Sequence, residues 1–236
     1  IFERNVETWT QVRKIQASDK DENDNFGKSV AISGTTAIVG AQYQSTDGDK
    51  IGAAYIFERN GNGTWDDTET QKIQASDKEA TDRFGVDVTI NETTIIVGCP
   101  NKDSATGSAY IFEKNGGTWG NEVVGQTYRT ETQIIEATDK DAGDRFGHSV
   151  EIDGTNAIIG SWKDKMNGEA SGSAYIFQYD GTTWTQVKKF QEINIQPGDN
   201  FGMSVAISGD TVIVGARGDD IGGSNAGSAY IYQSQS

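Results

Sequence analysis

Apolar and polar residues alternate along four short segments of the chain: FGKSVAIS, FGVDVTIN, FGHSVEID and FGMSVAIS. A period of two is the mark of a half-buried β-strand. Each segment reaches a polar turn: Ser33-Gly34-Thr35, Asn91-Glu92-Thr93, Asp153-Gly154-Thr155 or Ser208-Gly209-Asp210. Ser-Gly and Asp-Gly pairs between apolar runs signal tight hairpins. A second apolar run follows each turn: TAIVGA, TIIVGC, NAIIGS and TVIVGA. A variable loop of Gly, Asp and Ser leads to a third: GAAYIFER, GSAYIFEK, GSAYIFQY and GSAYIYQS. A last run opens on tryptophan, at Trp9, Trp65, Trp119 and Trp184.

The repeat decides the fold class. Phe-Gly recurs at Phe26-Gly27, Phe84-Gly85, Phe146-Gly147 and Phe201-Gly202, every ~60 residues, with four strands per period. Four antiparallel strands at this spacing describe a propeller blade, and one blade alone cannot bury both faces. The expected fold is all-β: a β-propeller-type array of four-stranded antiparallel blades in four repeats. It is either a closed four-blade ring or part of a larger propeller. A single domain covers residues 1–236, with units near 1–55, 56–110, 111–175 and 176–236. Each Phe of Phe-Gly is expected to wedge between neighbouring blades, and its Gly to relieve crowding where inner strands converge. The Gly of IVGA does the same on the next strand. The aromatic pair of AYIF is expected on opposite faces of its strand.

These elements, FG-x-S-V, I-V-G-A and G-S-A-Y-I-F, resemble the FG-GAP repeat over essentially the whole chain. The resemblance implies the β-propeller of integrin α subunits and of many bacterial and algal surface proteins. It implies an extracellular or cell-surface binding module that carries out no catalysis, with a protein or glycan ligand. Many repeats of integrin type hold calcium in a D-x-D-x-D-G loop between the first two strands. Here that connection is a tight turn in every copy, so that site is not carried over.

Apolar residues make up only 34% of the chain, but adding the 29 glycines restores an ordinary globular share of about 45–50%. A net charge of -15 argues against nucleic acid and anionic membranes as partners. It suits divalent cations, basic partners or plain solubility. No stretch approaches the ~18 apolar residues of a membrane span. The single cysteine, Cys99, excludes an internal disulfide and replaces Ala41, Ser161 and Ala216 of the other copies. The chain starts at Ile1 without Met, as a processed or excised form does.

A second acidic pattern precedes each Phe-Gly: Asp19, Asp21 and Asp24; Asp77, Glu79 and Asp82; Asp139, Asp141 and Asp144; and only Asp199 in the fourth copy. Spaced loop carboxylates offer oxygen ligands to Ca²⁺. They equally act as turn residues that bond their own backbone, and the fourth copy favours that second reading. The loops after IVGA add Asp47, Asp49, Asp103, Asp164, Asp219 and Asp220. Arg217-Gly218-Asp219 matches the tripeptide that integrins read in their ligands. Asn62-Gly-Thr and Asn91-Glu-Thr are N-glycosylation acceptors. His148 is the only histidine, in a position that Lys28, Val86 and Met203 fill elsewhere, which leaves a Ser–His–Asp or Cys–His arrangement little to work with.

The two ends share a motif. Ile1-Phe2-Glu3-Arg4 repeats Ile56–Arg59, and Ile231–Ser234 repeats it again. One of the two is surplus in a closed ring. The chain is then part of a longer array, an open unit that passes strands to a neighbour, or a closed ring with an overhang. The second case makes it a structural subunit that joins copies of itself through edge strands.

Overall fold

The computed structural model describes residues 1–46, 49–166, 169–191, 194–221 and 223–234, so Asp47 lies outside the described residues. A hairpin of β1 (Phe2–Asn5) and β2 (Thr8–Gln11) precedes four sheets, antiparallel except at the outer edge of the first, where Tyr128 and Arg129 pair in parallel with Lys72 and Ile73. In the first unit β3 (Phe26–Ser33), β4 (Thr36–Ala41), β5 (Ala53–Glu58) and β6 (Gln71–Ile73) lie side by side in chain order. The second has β7 (Val88–Ile90), β8 (Thr94–Cys99) and β9 (Ser108–Asn115), with both β10 (Thr118–Trp119) and β11 (Gln133–Ile135) on β9. The third orders β12 (Phe146–Asp153), β13 (Asn156–Ser161), β14 (Ser173–Tyr179) and β15 (Trp184–Phe190). The fourth holds three strands, β16 (Phe201–Ser208), β17 (Thr211–Ala216) and β18 (Ser228–Gln233). The third strands run through the expected boundaries at 55/56, 110/111 and 175/176, so each sheet starts near its Phe-Gly instead.

Turn chemistry sets the registers. Ser33 faces Thr36, Asp153 faces Asn156 and Ser208 faces Thr211 across two-residue turns. The second turn is wider, with Ile90 facing Ile95, because Asn91 Oδ1 accepts the amides of Thr93 and Thr94. A register shift follows Phe26, Phe146 and Phe201. The bulge places Gly27, Gly147 and Gly202 at φ of +90°, +83° and +84°, a region that a Cβ disfavours.

The core lies between sheets. Phe84 packs with Ile38 and Ile56 of the first unit and with Val97 and Phe112 of its own. Phe146 packs with Ile96 and Ile111 behind it and Ile159 and Phe177 ahead. Phe201 joins Ile158 and Ala174 to Val212 and Val214. Tyr55 and Phe57 share one cluster while Ile56 enters another. The two aromatics of AYIF therefore face the same way, contrary to the expectation. They stand two positions apart, and a strand returns to the same face every second residue. Each Phe-Gly ring meets them edge-on, as Phe146 does at 5.5 Å from Tyr175 and 5.8 Å from Phe177.

Glycines close the sheet junctions. A Cβ on Gly40 would strike the carbonyl of Gly85, one on Gly98 that of Gly147, and one on Gly160 that of Gly202. The pattern stops at the two ends of the array. A Cβ on Gly27 meets nothing within 4 Å, and one on Gly215 meets only Ser204 of its own sheet. Among the described residues the fourth sheet holds no tryptophan strand, and Trp9 faces Arg4 in the N-terminal hairpin.

Candidate functional site

Two sets of loops form one connected face at the end of the sheets away from the first hairpin turns. The amides of Tyr43, Asn101, Lys163 and Gly218, all in the loop between second and third strands, donate to the carbonyls of Asp24, Asp82, Asp144 and Asp199. The same loops reach the next unit, where the amides of Phe84, Phe146 and Phe201 donate to the carbonyls of Ile51, Thr106 and Ser171. The backbone thus ties variable loops to a repeated frame.

The carboxylates before each Phe-Gly divide into three roles. Asp24, Asp82, Asp144 and Asp199 are buried. Their Oδ2 atoms accept the amides of Asp21, Glu79, Asp141 and Gln196 at 2.7, 2.7, 2.7 and 2.6 Å. Each carboxylate thus closes its loop by reaching back to the amide three residues before it, and the fourth copy keeps just the aspartate that does so. Asp19, Asp77 and Asp139 accept the hydroxyls of Tyr55, Tyr110 and Tyr175 at 2.7, 2.9 and 3.2 Å. The fourth copy has no such aspartate, and Tyr230 donates to Asp219 at 2.5 Å instead. Asp21, Glu79 and Asp141 are exposed. Burial opposes the charge on Asp19 and Asp139, but the hydrogen bonds from Lys72 and Tyr55, and from Lys189 and Tyr175, outweigh it and hold both below the usual carboxylate range.

Repeat two carries its own cation there. Lys102 is 3% exposed. Its ammonium donates to the Asp77 carbonyl at 2.5 Å and lies 3.6 Å from the carboxylates of Asp77 and Asp82. Among the described residues no group of three or more His, Cys, Asp or Glu is placed to hold a metal ion.

The remaining sequence candidates fall elsewhere. Arg217 is exposed but Asp219 is 1% exposed. The Asp219 carboxylate accepts from Tyr230 and from the Ile221 amide. The tripeptide is therefore not presented as a ligand loop, because its acid is committed to the fold. Asn62 is exposed in a turn, whereas Asn91 Nδ2 donates to the Gly154 carbonyl of the next unit at 3.0 Å. Cys99 is fully buried and burial pushes its thiol up, which disfavours the thiolate.

A cavity of about 280 Å³ sits where the first strands converge. The residue after each Phe-Gly lines it: Lys28, Val86, His148 and Met203. Asp87 lies there too, bonded to the Val88 and Val150 amides at 3.1 and 2.8 Å. Burial raises Asp87 to about 6 and lowers His148 to about 4. Asp144 is also raised to about 6, chiefly by burial and then by Asp164.

A pH dependence follows. Asp87 and Asp144 take up protons in the folded chain at a higher pH than in the unfolded one. Their share of stability is lowest at neutral pH and grows as pH falls through 6. His148 acts oppositely, since the unfolded imidazole protonates first and stability falls as pH drops below about 6.5. The urea midpoint between pH 7 and 5 is expected to rise more steeply in His148→Gln than in the parent. Asp87→Asn with Asp144→Asn flattens the rise, and Asn keeps an acceptor for the turn.

Sequence reading missed Lys102 and the tyrosine–aspartate bonds. The second was visible, because the Tyr of AYIF and the Asp ending KIQASD recur together in the chain. The first was not, because nothing marks a lysine for burial.

A family described as FG-GAP repeat matches residues 9–57, 68–112, 130–177 and 184–232. No curated protein matches the chain. Among solved structures, Sqt1 from Chaetomium thermophilum is similar at 11% identity and a TM-score of 0.47, over 89% of this chain and 45% of that one. The chain thus spans less than half the length of that protein. With four matches that together cover most of its residues, in register with the four sheets, the chain belongs to the FG-GAP repeat family.

Proposed function

We propose that the chain is an extracellular or cell-surface binding module without catalytic activity, built as a single propeller-type domain. It engages a protein or glycan ligand through the connected loop face. One observation carries this reading: loops of different sequence are bound by the same backbone contacts to the same frame. A stiff scaffold with variable loops is the usual architecture of a recognition surface. Asp21, Glu79, Asp103, Asp141 and Asp220 are exposed on those loops, so the favoured ligand has a basic surface. Charge of this kind sets on-rate and salt dependence more than bulk affinity.

The test is retention on an array of extracellular matrix proteins and glycans. Binding that weakens with salt, and that is lost in Asp21→Lys with Glu79→Lys and Asp141→Lys, supports the reading. Glu92→Lys with Asp210→Lys, at the opposite end of the sheets, serves as the control. Equal loss in both variants contradicts it.

The loop aspartates shape this face as turn residues and need no metal. Thermal melting is expected to be the same in EDTA and in millimolar Ca²⁺. Calcium at 100 times its dissociation constant would stabilise by about 2.7 kcal/mol. A calcium-dependent rise abolished by Asp139→Ala with Asp144→Ala identifies a metal site instead.

A second reading, a structural subunit joined head to tail, is favoured by one observation: among the described residues the fourth sheet has three strands where the third has four.

A further inference from the structure

The residue just before each Phe-Gly sits in a left-handed turn. Asn25, Arg83, Arg145 and Asn200 have φ of +58°, +63°, +66° and +58°. Asparagine is at home there, because its short polar side chain suits that region, and it fills the place in units one and four. Arginine gains nothing from it. Units two and three thus hold an unfavourable backbone at Arg83 and Arg145, which points to a use for the side chains.

Both side chains lean back on the preceding unit. The Arg83 guanidinium lies 5.4 Å from the centre of the Tyr43 ring. Arg145 Nη1 donates to Asn101 Oδ1, and its Nε is buried without a partner. Tyr43 and Asn101 are matching residues of the first and second loops, two positions after IVGA and its variant. The matching residue of the third loop is Lys163, whose ammonium lies 4.7 Å from the centre of the neighbouring Trp162 ring. In the unit that follows, the residue before Phe-Gly is Asn200, so the loop brings the cation that the turn does not. Each of the three junctions between sheets therefore carries one such cation, supplied twice from the turn and once from the loop.

None of the three is neutralised. The chain has 35 Asp and Glu against 20 Lys and Arg, yet among the described residues Arg83, Arg145 and Lys163 form no ion pair with a carboxylate. A ring face or an amide oxygen holds each one instead. Such a contact fixes a cation in place and leaves its full charge uncompensated. Their fields overlap. Burial and then Arg83 hold Arg145 below the usual guanidinium range, and burial, Lys28, Arg145 and Arg83 together lower His148. All three cations are half-buried, where a charge acts more strongly than in open water. Fixed like charges that repel one another and have no counter-ion from the chain form a seat for an external anion.

We propose that the row of Arg83, Arg145 and Lys163 binds an acidic glycan, whose carboxylate or sulfate groups supply the counter-ions that the chain withholds. A guanidinium fork matches either oxyanion with two parallel hydrogen bonds. Three cations, one at each successive junction, fit a polymer with repeated anionic groups better than a single small acid. Asn25 and Asn200 continue the row at its two ends with neutral amides, which suit a hydroxyl-bearing sugar chain better than a run of acidic side chains. The site goes beyond the loop-face reading, because the ligand favoured there is basic and this one is acidic.

Titration of the whole chain at fixed salt tests this, with oligosaccharides of chondroitin sulfate and of polygalacturonate as probes and dextran and poly-L-glutamate as comparisons. The two acidic glycans are expected to bind and dextran is not. Arg83→Asn with Arg145→Asn installs the residue that units one and four already carry in this turn, so the melting temperature is expected to hold or rise. Glycan affinity is expected to fall more than about tenfold, because charge-assisted hydrogen bonds are the strong ones. Lys14→Gln with Lys188→Gln removes the same charge from exposed positions outside the row and serves as the control. Equal loss in the two double variants reports bulk charge and overturns the site. Poly-L-glutamate binding as tight as the glycans overturns the glycan class, and no binding of either glycan overturns the proposal. Asp21→Lys with Glu79→Lys and Asp141→Lys separates the two readings, since it is expected to remove the basic ligand and to keep or strengthen the glycan.

Discussion

Truncating Phe146 to alanine is expected to destabilise the fold by about 3–5 kcal/mol, the range for a fully buried phenylalanine. Its ring is 0% exposed and contributes to the core on both sides of the junction between units two and three. Two edge-on contacts, with Tyr175 and Phe177, are lost with it, each worth about 0.5–1.5 kcal/mol beyond area. The surroundings collapse poorly, because the backbone beneath the ring is held by a bulge and a glycine contact. His148→Ala, two positions along, serves as the comparison. That ring is half-buried at the cavity edge beside Trp162. Chemical denaturation of both variants gives the comparison, and equal losses would remove the inter-sheet role of Phe146.

Gly98→Ala is expected to cost about 3 kcal/mol, at the upper end for overpacking a filled interior. Gly98 has no need for an unusual φ, so backbone strain is not the cause. The added Cβ would fall on the carbonyl oxygen of Gly147 in the next sheet. Backbone atoms of two sheets would have to separate, which loosens every contact around Phe146. Gly215→Ala, at the equivalent place in the last sheet, meets the movable hydroxyl of Ser204 and is expected to cost less. Gly61→Ala, in open space, is expected to be neutral or slightly stabilising through the unfolded chain. Thermal melting of the three ranks them, and an inverted order would contradict the junction as described.

The repeat was legible in the sequence because a period of two, a turn and a tryptophan recur in step. Phe84, Phe146 and Phe201 sit where the pattern placed them. The faces of AYIF run against the expectation because an isoleucine stands between its two aromatics, which returns both to one side of the strand. The short second unit was hidden as well. Its Phe84-Gly85 precedes the strand without joining it, and β7 begins only at Val88. In the acidic loops the sequence left two chemistries open, because a carboxylate spacing does not say where each oxygen points. The bond from the Gln196 amide to the Asp199 carboxylate, kept after its acidic neighbours are lost, is what the structure adds. The burial of Lys102 depends on contacts between loops far apart in sequence, which no local pattern encodes.

The stacked array makes one ordering unavoidable. Phe84, Phe146 and Phe201 have a sheet on either side, while Phe26 is only partly buried and packs against the N-terminal segment in place of a preceding sheet. The urea midpoints of Phe26→Ala, Phe84→Ala, Phe146→Ala and Phe201→Ala, measured at a concentration where the chain is monomeric, test this directly. Three large and similar losses are expected, with a distinctly smaller one at Phe26. Four equal losses, or a larger loss at Phe26, would contradict it.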